Sequence, residues 1–191
     1  MARIGLFGGT FDPIHLGHML MAQAAREELA LTRCIFVPAA QSPFKPDQNP
    51  ATAAERLRLL RLALAGLDWC EIDDQEITRG GVSYTIETVT DYSRHYPGAE
   101  LFYLIGADQL SQLPKWRDAE ALARLAQFAV IPRPGRGESA IPPPFRGQSL
   151  AGFPVGVSSS QIRARVKTGL PIEHLVPPAV AEAIRNYQLY L

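Results

Sequence analysis

With 191 residues, 47% of them hydrophobic and 20% charged, the chain is large enough for one domain with a full apolar core, and its composition is that of an ordinary globular protein. Lys plus Arg and Asp plus Glu both number 19, so the formal net charge is zero; no global field draws the chain to nucleic acid or a membrane, and an anionic ligand must be held by locally placed groups. No apolar run approaches the ~18 residues of a spanning helix and the first residues lack a secretory apolar stretch, so a cytosolic (cytoplasmic) protein with no nucleic-acid or membrane partner is expected.

In chain order, residues 3–7 form a short apolar run that meets Gly8 and Gly9, which fits a buried strand ending in a tight loop. A helix is expected from near Asp12, with Asp as N-cap and Pro13 in the first helical position. Residues 34–38 read as the second strand, and 41–50, rich in Pro, Asn, Asp and Gln, as a loop. Thr52 and Glu55 have the spacing of a capping box, and the leucine-rich helix after them stops near Gly66. Residues 69–77 read as extended, 79–81 as a turn, and 85–96 as a helix closed by Pro97-Gly98. The run 100–105 is the most strand-like in the chain and again ends on a glycine, Gly106. A short helix over 118–125 and a strand over 128–132 follow. Residues 132–154 read as a long surface loop with room for one short strand, then come a last strand at 154–157 and helices at 161–167 and 178–187. Cys34 and Cys70 have no metal-type spacing and form no disulfide framework.

Unbroken apolar strands alternating with helices imply an α/β fold: a Rossmann-like, doubly wound parallel sheet with helices on both faces and a small C-terminal helical part. Ligands of such sheets sit beyond the carboxyl ends of the strands. The stretches 8–10, 106–108 and 158–160 each follow an expected strand, so they should share one edge.

The segment GGTFDPIHLGH, residues 8–18, concentrates the chemistry. Gly8 and Gly9 let backbone approach a phosphate, and the loop feeds a helix N-terminus whose N–H groups and dipole favour an anion. His15 and His18 lie roughly 60° apart around a helix, so both can donate to phosphate oxygens; Gly17 between them leaves room for a base or ribose to lie flat. Zinc is the rival ligand for this pair, but no third ligand motif accompanies it and the Glu of H-E-x-x-H is missing. Neither the P-loop pattern nor G-x-G-x-x-G after the first strand occurs. Ser158–Ser160 precede a helix and offer caps and hydroxyl donors, and Arg163 in the first turn can bind phosphate bidentately.

These motifs resemble a known family. GGTFDPIHLGH looks like the signature of the HxGH nucleotidyltransferase superfamily, VSSSQIR at 157–163 like its second motif, and IGADQLSQLPKW at 105–116 like the GxDxxxxLxxW stretch of bacterial nicotinate mononucleotide adenylyltransferases. The ending VPPAVAEAIRNYQLY is also similar to theirs, and the match runs in order over nearly the whole chain. The resemblance implies one nucleotidyltransferase domain over 1–191, its helical portion from about 158, that joins ATP to nicotinate mononucleotide and releases pyrophosphate, with Mg²⁺ accompanying ATP and no metal held by the protein alone. Pantetheine-phosphate adenylyltransferases and cytidylyltransferases are alternatives within the superfamily, and a non-catalytic nucleotide sensor is one outside its chemistry. A homo-oligomer is compatible with the sequence.

The same resemblance assigns roles. Gly8, Gly9, Thr10 and Phe11 belong to the ATP site, with the loop backbone on phosphates; His15 and His18 contact ATP phosphates. Gly106 and Asp108 approach the adenosine ribose, and Ser158, Ser159 and Arg163 hold the leaving pyrophosphate, so that His15, His18 and Arg163 are the catalytic set. Trp116 stacks on the pyridine ring, Thr85 and nearby N–H groups meet its carboxylate with Arg117 adjacent, and Lys45 reaches a phosphate from its loop. Phe44 stands where the family often has His, which removes one phosphate donor, and Ser160 replaces the usual Thr but keeps the hydroxyl.

Overall fold

The structure is a computed structural model that describes residues 1–44, 50–132, 140–153 and 155–191. The apolar run after Ala2 becomes β1 (Arg3–Gly9), and α1 (Leu16–Glu28) leads to β2 (Arg33–Pro38). Next come α2 (Ala53–Leu64), β3 (Cys70–Ile72), α3 (Gln75–Arg79), α4 (Thr85–His95) and β4 (Glu100–Gly106). A 3-10 helix (Ala107–Lys115), α5 (Ala119–Leu125), β5 (Gln127–Ile131) and β6 (Gly147–Ser149) precede α6 (Ser159–Lys167) and α7 (Pro178–Asn186). Among the described residues no helix is long and apolar enough to cross a membrane.

The strands form one six-stranded sheet in the order β3-β2-β1-β4-β5-β6, and every pair is parallel. The order reverses direction between β1 and β4, so the loops after these two strands diverge and open a crevice. Alternation along β1 divides the core: Ile4 and Leu6 face a cluster with Val89, Leu113 and Leu122, while Phe7 faces one with Leu60, Ile162 and Val180. The sheet is therefore covered on both faces, as its unbroken apolar strands require.

The structure corrects four expectations. The helix does not start at Asp12. α1 begins at Leu16 with His15 as N-cap, because the Asp12 carboxylate is bound instead by the Ala51 N–H at 3.1 Å and the Tyr190 hydroxyl at 2.9 Å. The extended stretch expected over 69–77 ends at Ile72: the Asp73 carboxylate accepts from the Gln75 N–H at 3.0 Å, turning the chain into α3. Residues 155–157 are not a strand; Val157 is buried with Ile162 and Val180 in the helical cluster, and the sheet position beside β5 is filled by β6. The Ser158–Ser160 cluster therefore follows an irregular segment rather than a strand. The loop read over 132–154 contains β6, and its residues 133–139 lie outside the described residues. Cys34 and Cys70, distant in sequence, are register partners on β2 and β3, and both are free thiols.

Candidate active site

A cavity of about 880 Å³ opens at the carboxyl ends of β1 and β4. Gly8, Gly9, Thr10, Phe11, His15 and His18 line it from the end of β1, the loop after it and the start of α1; Gly106 from the last residue of β4, with Asp108, Trp116 and Arg117 from the segment after it; Thr85 from the start of α4; and Ser158, Ser159 and Arg163 from the N-cap and first turns of α6. The loops after β1 and β4 and the α6 terminus thus converge. Lys45 falls outside the described residues.

The histidine pair is more tightly organised than its spacing implies. The His18 N–H donates to His15 Nδ1 and the His15 N–H donates to His18 Nδ1, both at 3.3 Å, so each ring caps the helix start that carries the other. An Nδ1 that accepts from a backbone N–H carries no proton, which assigns the proton of each neutral ring to Nε2. The rings stack with centroids 3.6 Å apart and planes at 21°. Phe7 and Phe11 meet His18 edge-on at 5.8 Å and 5.1 Å, which fixes its orientation. Two Nε2–H donors held side by side against an apolar wall suit adjacent oxygens of one phosphate chain.

The glycines serve this arrangement differently from the sequence expectation. A Cβ on Gly17 would stand 3.0 Å from Cε1 and Nδ1 of His15 and 3.6 Å from the Val157 carbonyl, so the space there belongs to the His15 ring and not to a base or ribose. A Cβ on Gly8 would collide with the Tyr103 hydroxyl, and one on Gly9 would press the Phe11 ring at 3.0 Å. Tyr103 accepts a hydrogen bond from Thr85 Oγ1 at 3.3 Å. Burial, with Glu76 nearby, pushes its phenol well above the usual range, so it stays protonated.

Helix α6 is tied to the loop after β1. Ser158 caps it by accepting from the Gln161 N–H at 3.3 Å, while Ser159 Oγ donates to the Pro13 carbonyl at 2.9 Å. Arg163 Nη1 donates to the Asp12 carbonyl at 2.7 Å and stands 3.5 Å from its carboxylate. Ser159 and Arg163 therefore sit at the cavity wall with part of their bonding capacity spent on the loop. The sequence reading missed this role of Asp12, and it missed Arg56 and Tyr190 entirely. Arg56, 2% exposed, donates to the Thr10 carbonyl at 2.8 Å and to the Ala51 carbonyl at 3.2 Å. Only the composition offered a signal: an arginine among leucines on an otherwise apolar helix face.

The opposite end of the cavity is aromatic. Trp116 is held by Tyr103 at 5.8 Å and Phe128 at 6.2 Å, and faces Phe44 at 6.2 Å with planes at 35°. Phe44 is 51% exposed, so the residue that departs from the family pattern is an exposed apolar ring lining the cavity. Arg117 is engaged elsewhere: its guanidinium lies 3.3 Å from Glu87 and over the Tyr84 ring at 4.5 Å.

Comparison with known proteins gives concordant results. Residues 6–165 match the family model described as cytidylyltransferase-like. A protein of Moorella thermoacetica named a probable nicotinate-nucleotide adenylyltransferase is 41% identical over 198 residues, covering 98% of this chain and 91% of that protein. One of the same name from Opitutus terrae is 40% identical, covering 98% and 97%. Among solved structures, the Plasmodium falciparum nicotinic acid mononucleotide adenylyltransferase complexed with NaAD superposes with a TM-score of 0.81 at 17% identity, covering 100% of this chain and 98% of that one. A Vibrio parahaemolyticus structure described as a nicotinate-nucleotide adenylyltransferase gives 0.72 at 21%, covering 100% and 96%. At these identities the structural likenesses speak to the fold.

Proposed function

The chain belongs to the nicotinate-nucleotide adenylyltransferases of the cytidylyltransferase-like family, and from that premise we propose how its cleft transfers the adenylyl group of ATP to nicotinate mononucleotide, giving nicotinate adenine dinucleotide and pyrophosphate. The observation that carries the reading is the reciprocally capped His15–His18 pair at the same cavity wall as Ser159 and Arg163.

The triphosphate lies along the loop after β1. Nε2–H of His15 and of His18 donate to its oxygens at the reacting phosphorus, and Arg163 with Ser159 receives the departing β- and γ-phosphates. The 5′-phosphate of the mononucleotide attacks the α-phosphorus in line and pyrophosphate leaves opposite. The acceptor phosphate is already ionised at neutral pH, so no general base and no covalent intermediate are needed. Rate acceleration comes from positioning and from donors fixed before charge develops. A divalent cation such as Mg²⁺ would accompany ATP and offset its phosphate charge; Asp12, Glu76 and Asp108 line the cavity, but among the described residues they form no cluster that could hold a cation by itself. Gly106 and Asp108, after β4, face the adenosine ribose, where the carboxylate accepts from hydroxyls.

At the aromatic end the pyridinium ring stacks on Trp116. Its carboxylate points to the start of α4, whose N-cap Tyr84 makes no side-chain cap and whose dipole favours an anion. A carboxylate gains from that terminus where a carboxamide, which also needs an acceptor, gains less, and the acid is therefore the preferred substrate. Incubation with ATP, Mg²⁺ and either nicotinate or nicotinamide mononucleotide, followed by release of pyrophosphate, tests this. Faster turnover of the acid is expected, and equal rates would overturn the assignment of the α4 terminus. Inversion at a chiral α-phosphorothioate of ATP is expected from direct transfer, and retention would require a covalent intermediate.

A further inference from the structure

The turn at residues 10–13 is held in an improbable way. Phe11 adopts φ +48°, a region that side-chain-bearing residues seldom occupy, and such geometry persists only where the surroundings over-determine it. Here four parts of the chain do so. From α2, Arg56 donates to the Thr10 carbonyl at 2.8 Å. From the segment after α7, the Tyr190 hydroxyl donates to Asp12 Oδ1 at 2.9 Å, beside the Ala51 N–H on the same oxygen at 3.1 Å. From α6, Arg163 Nη1 donates to the Asp12 carbonyl and Ser159 Oγ to the Pro13 carbonyl. Asp12 and Arg56 are 5% and 2% exposed, and burying charged groups is costly unless they are hydrogen-bonded or paired, as both are here.

Neither Arg56 nor Tyr190 is among the described residues that line the cavity. What they touch does line it. Thr10 and Asp12 belong to the phosphate loop, Asp12 orients Arg163, and Phe11 packs its ring on His18. We propose that Arg56 and Tyr190 are positioning residues of the leaving-group site: from below the loop they set the Asp12 turn, and through it the Arg163 guanidinium and the His18 ring. This rests on the reading of Arg163 as the pyrophosphate donor. It goes beyond that reading by placing the control of Arg163 on a tyrosine 178 residues from Asp12 in sequence.

The test removes one hydroxyl. Tyr190→Phe keeps the ring and leaves Asp12 with one donor fewer, and Arg56→Lys keeps the charge but not the two directed N–H groups. Pyrophosphate binding to each full-length variant is measured by calorimetry with no nucleotide present, beside kcat, the two KM values and Tm. Expected for Tyr190→Phe is a threefold to tenfold weaker pyrophosphate Kd and a similar fall in kcat, about the worth of one hydrogen bond to a charged group's network, with KM for the mononucleotide within about twofold. Arg56→Lys follows the same pattern, and it carries the test should Tyr190→Phe be unfolded at the assay temperature. Tyr187→Phe, an exposed neighbour stacked on Arg58, is the control that changes none of these. A lowered Tm with pyrophosphate affinity and kcat both intact would overturn the proposal and reduce the pair to scaffold. Pyrophosphate binding involves no acceptor, so failure of the mononucleotide assignment, seen as no dinucleotide from the unmutated protein, leaves this result readable.

Discussion

The His15 side chain does two jobs that one pair of substitutions separates. Its Nδ1 caps α1 by accepting the His18 N–H at 3.3 Å, and its ring lines the cavity, where Nε2–H is the proposed phosphate donor. His15→Ala removes both. Loss of an N-cap costs about 1 kcal/mol, which in a chain of this size lowers Tm by about 2–4 °C. Loss of a transition-state donor costs about 10²–10³-fold in turnover. Asn is among the best N-cap residues, and its shorter amide can still accept the His18 N–H but cannot extend a donor to where Nε2 stands. His15→Asn should therefore restore Tm to within about 1 °C of the unmutated protein while kcat stays about 10²–10³-fold down. Thermal unfolding and steady-state pyrophosphate release on the same preparations decide the matter. An Asn variant that turns over normally would refute the donor role. An Ala variant with unchanged Tm would refute the cap.

Gly17→Ala places a methyl 3.0 Å from the His15 ring, which is also stacked on His18, so the pair must shift to admit it; kcat should fall while helix stability holds or rises by up to about 1 kcal/mol, as Ala replaces Gly. A normal kcat with raised Tm would mean that the imidazole pair tolerates displacement. Trp116→Ala should raise KM for the mononucleotide by about 5- to 100-fold, the range of one lost aromatic stack, and leave KM for ATP unchanged. Phe44→Ala, removing a ring that can cover the exposed face of a pyridinium, should raise the same KM about twofold to fivefold; equal effects on ATP would place Phe44 elsewhere. Cys70 is pushed up to about 12, chiefly by burial, so iodoacetamide at pH 7.5 should label it slowly and leave activity intact. Rapid stoichiometric labelling would contradict that burial.

What could be read from the sequence was what is local. β1, β2, β4 and β5 announce themselves as apolar runs because parallel strands are buried on both faces, and the Thr52–Glu55 box marks the start of α2 through bonds spanning three residues. The same logic misread Val155 and Val157. Their apolarity is satisfied by packing with helices, and an apolar run alone does not tell a strand from a segment buried under them. The 3-10 helix after β4, carrying Pro114, has no periodicity that separates it from a loop. In the site, the spacing of the histidines was legible, although His15 stands as the extended N-cap of α1 and not on its first turn. That they cap each other was not, because His is not a usual N-cap. Asp12 showed the limit most clearly: Asp followed by Pro is a sound helix start on local grounds, and a tyrosine hydroxyl distant in sequence but adjacent in the fold takes its carboxylate instead.

That override explains an electrostatic oddity. The loop proposed to hold the triphosphate has a carboxylate one residue from Phe11 and three from His15, where its repulsion should weaken binding. The carboxylate is buried, however, and turned to the Ala51 N–H, the Tyr190 hydroxyl and the Arg163 guanidinium, with Arg56 on the adjacent carbonyl of Thr10. Its charge is answered from within the protein. Arg56 needs this arrangement too, since burial alone pushes its guanidinium down and Asp12 and Tyr190 oppose that shift. In a chain with no net charge, attraction for a triphosphate cannot come from surplus cations spread over the surface. It has to come from donors fixed in direction, and fixing them takes a rigid loop. On the proposed reading the buried Asp12 serves the anion its charge would repel: it anchors the turn, and the turn aims Arg163 and, through Phe11, His18.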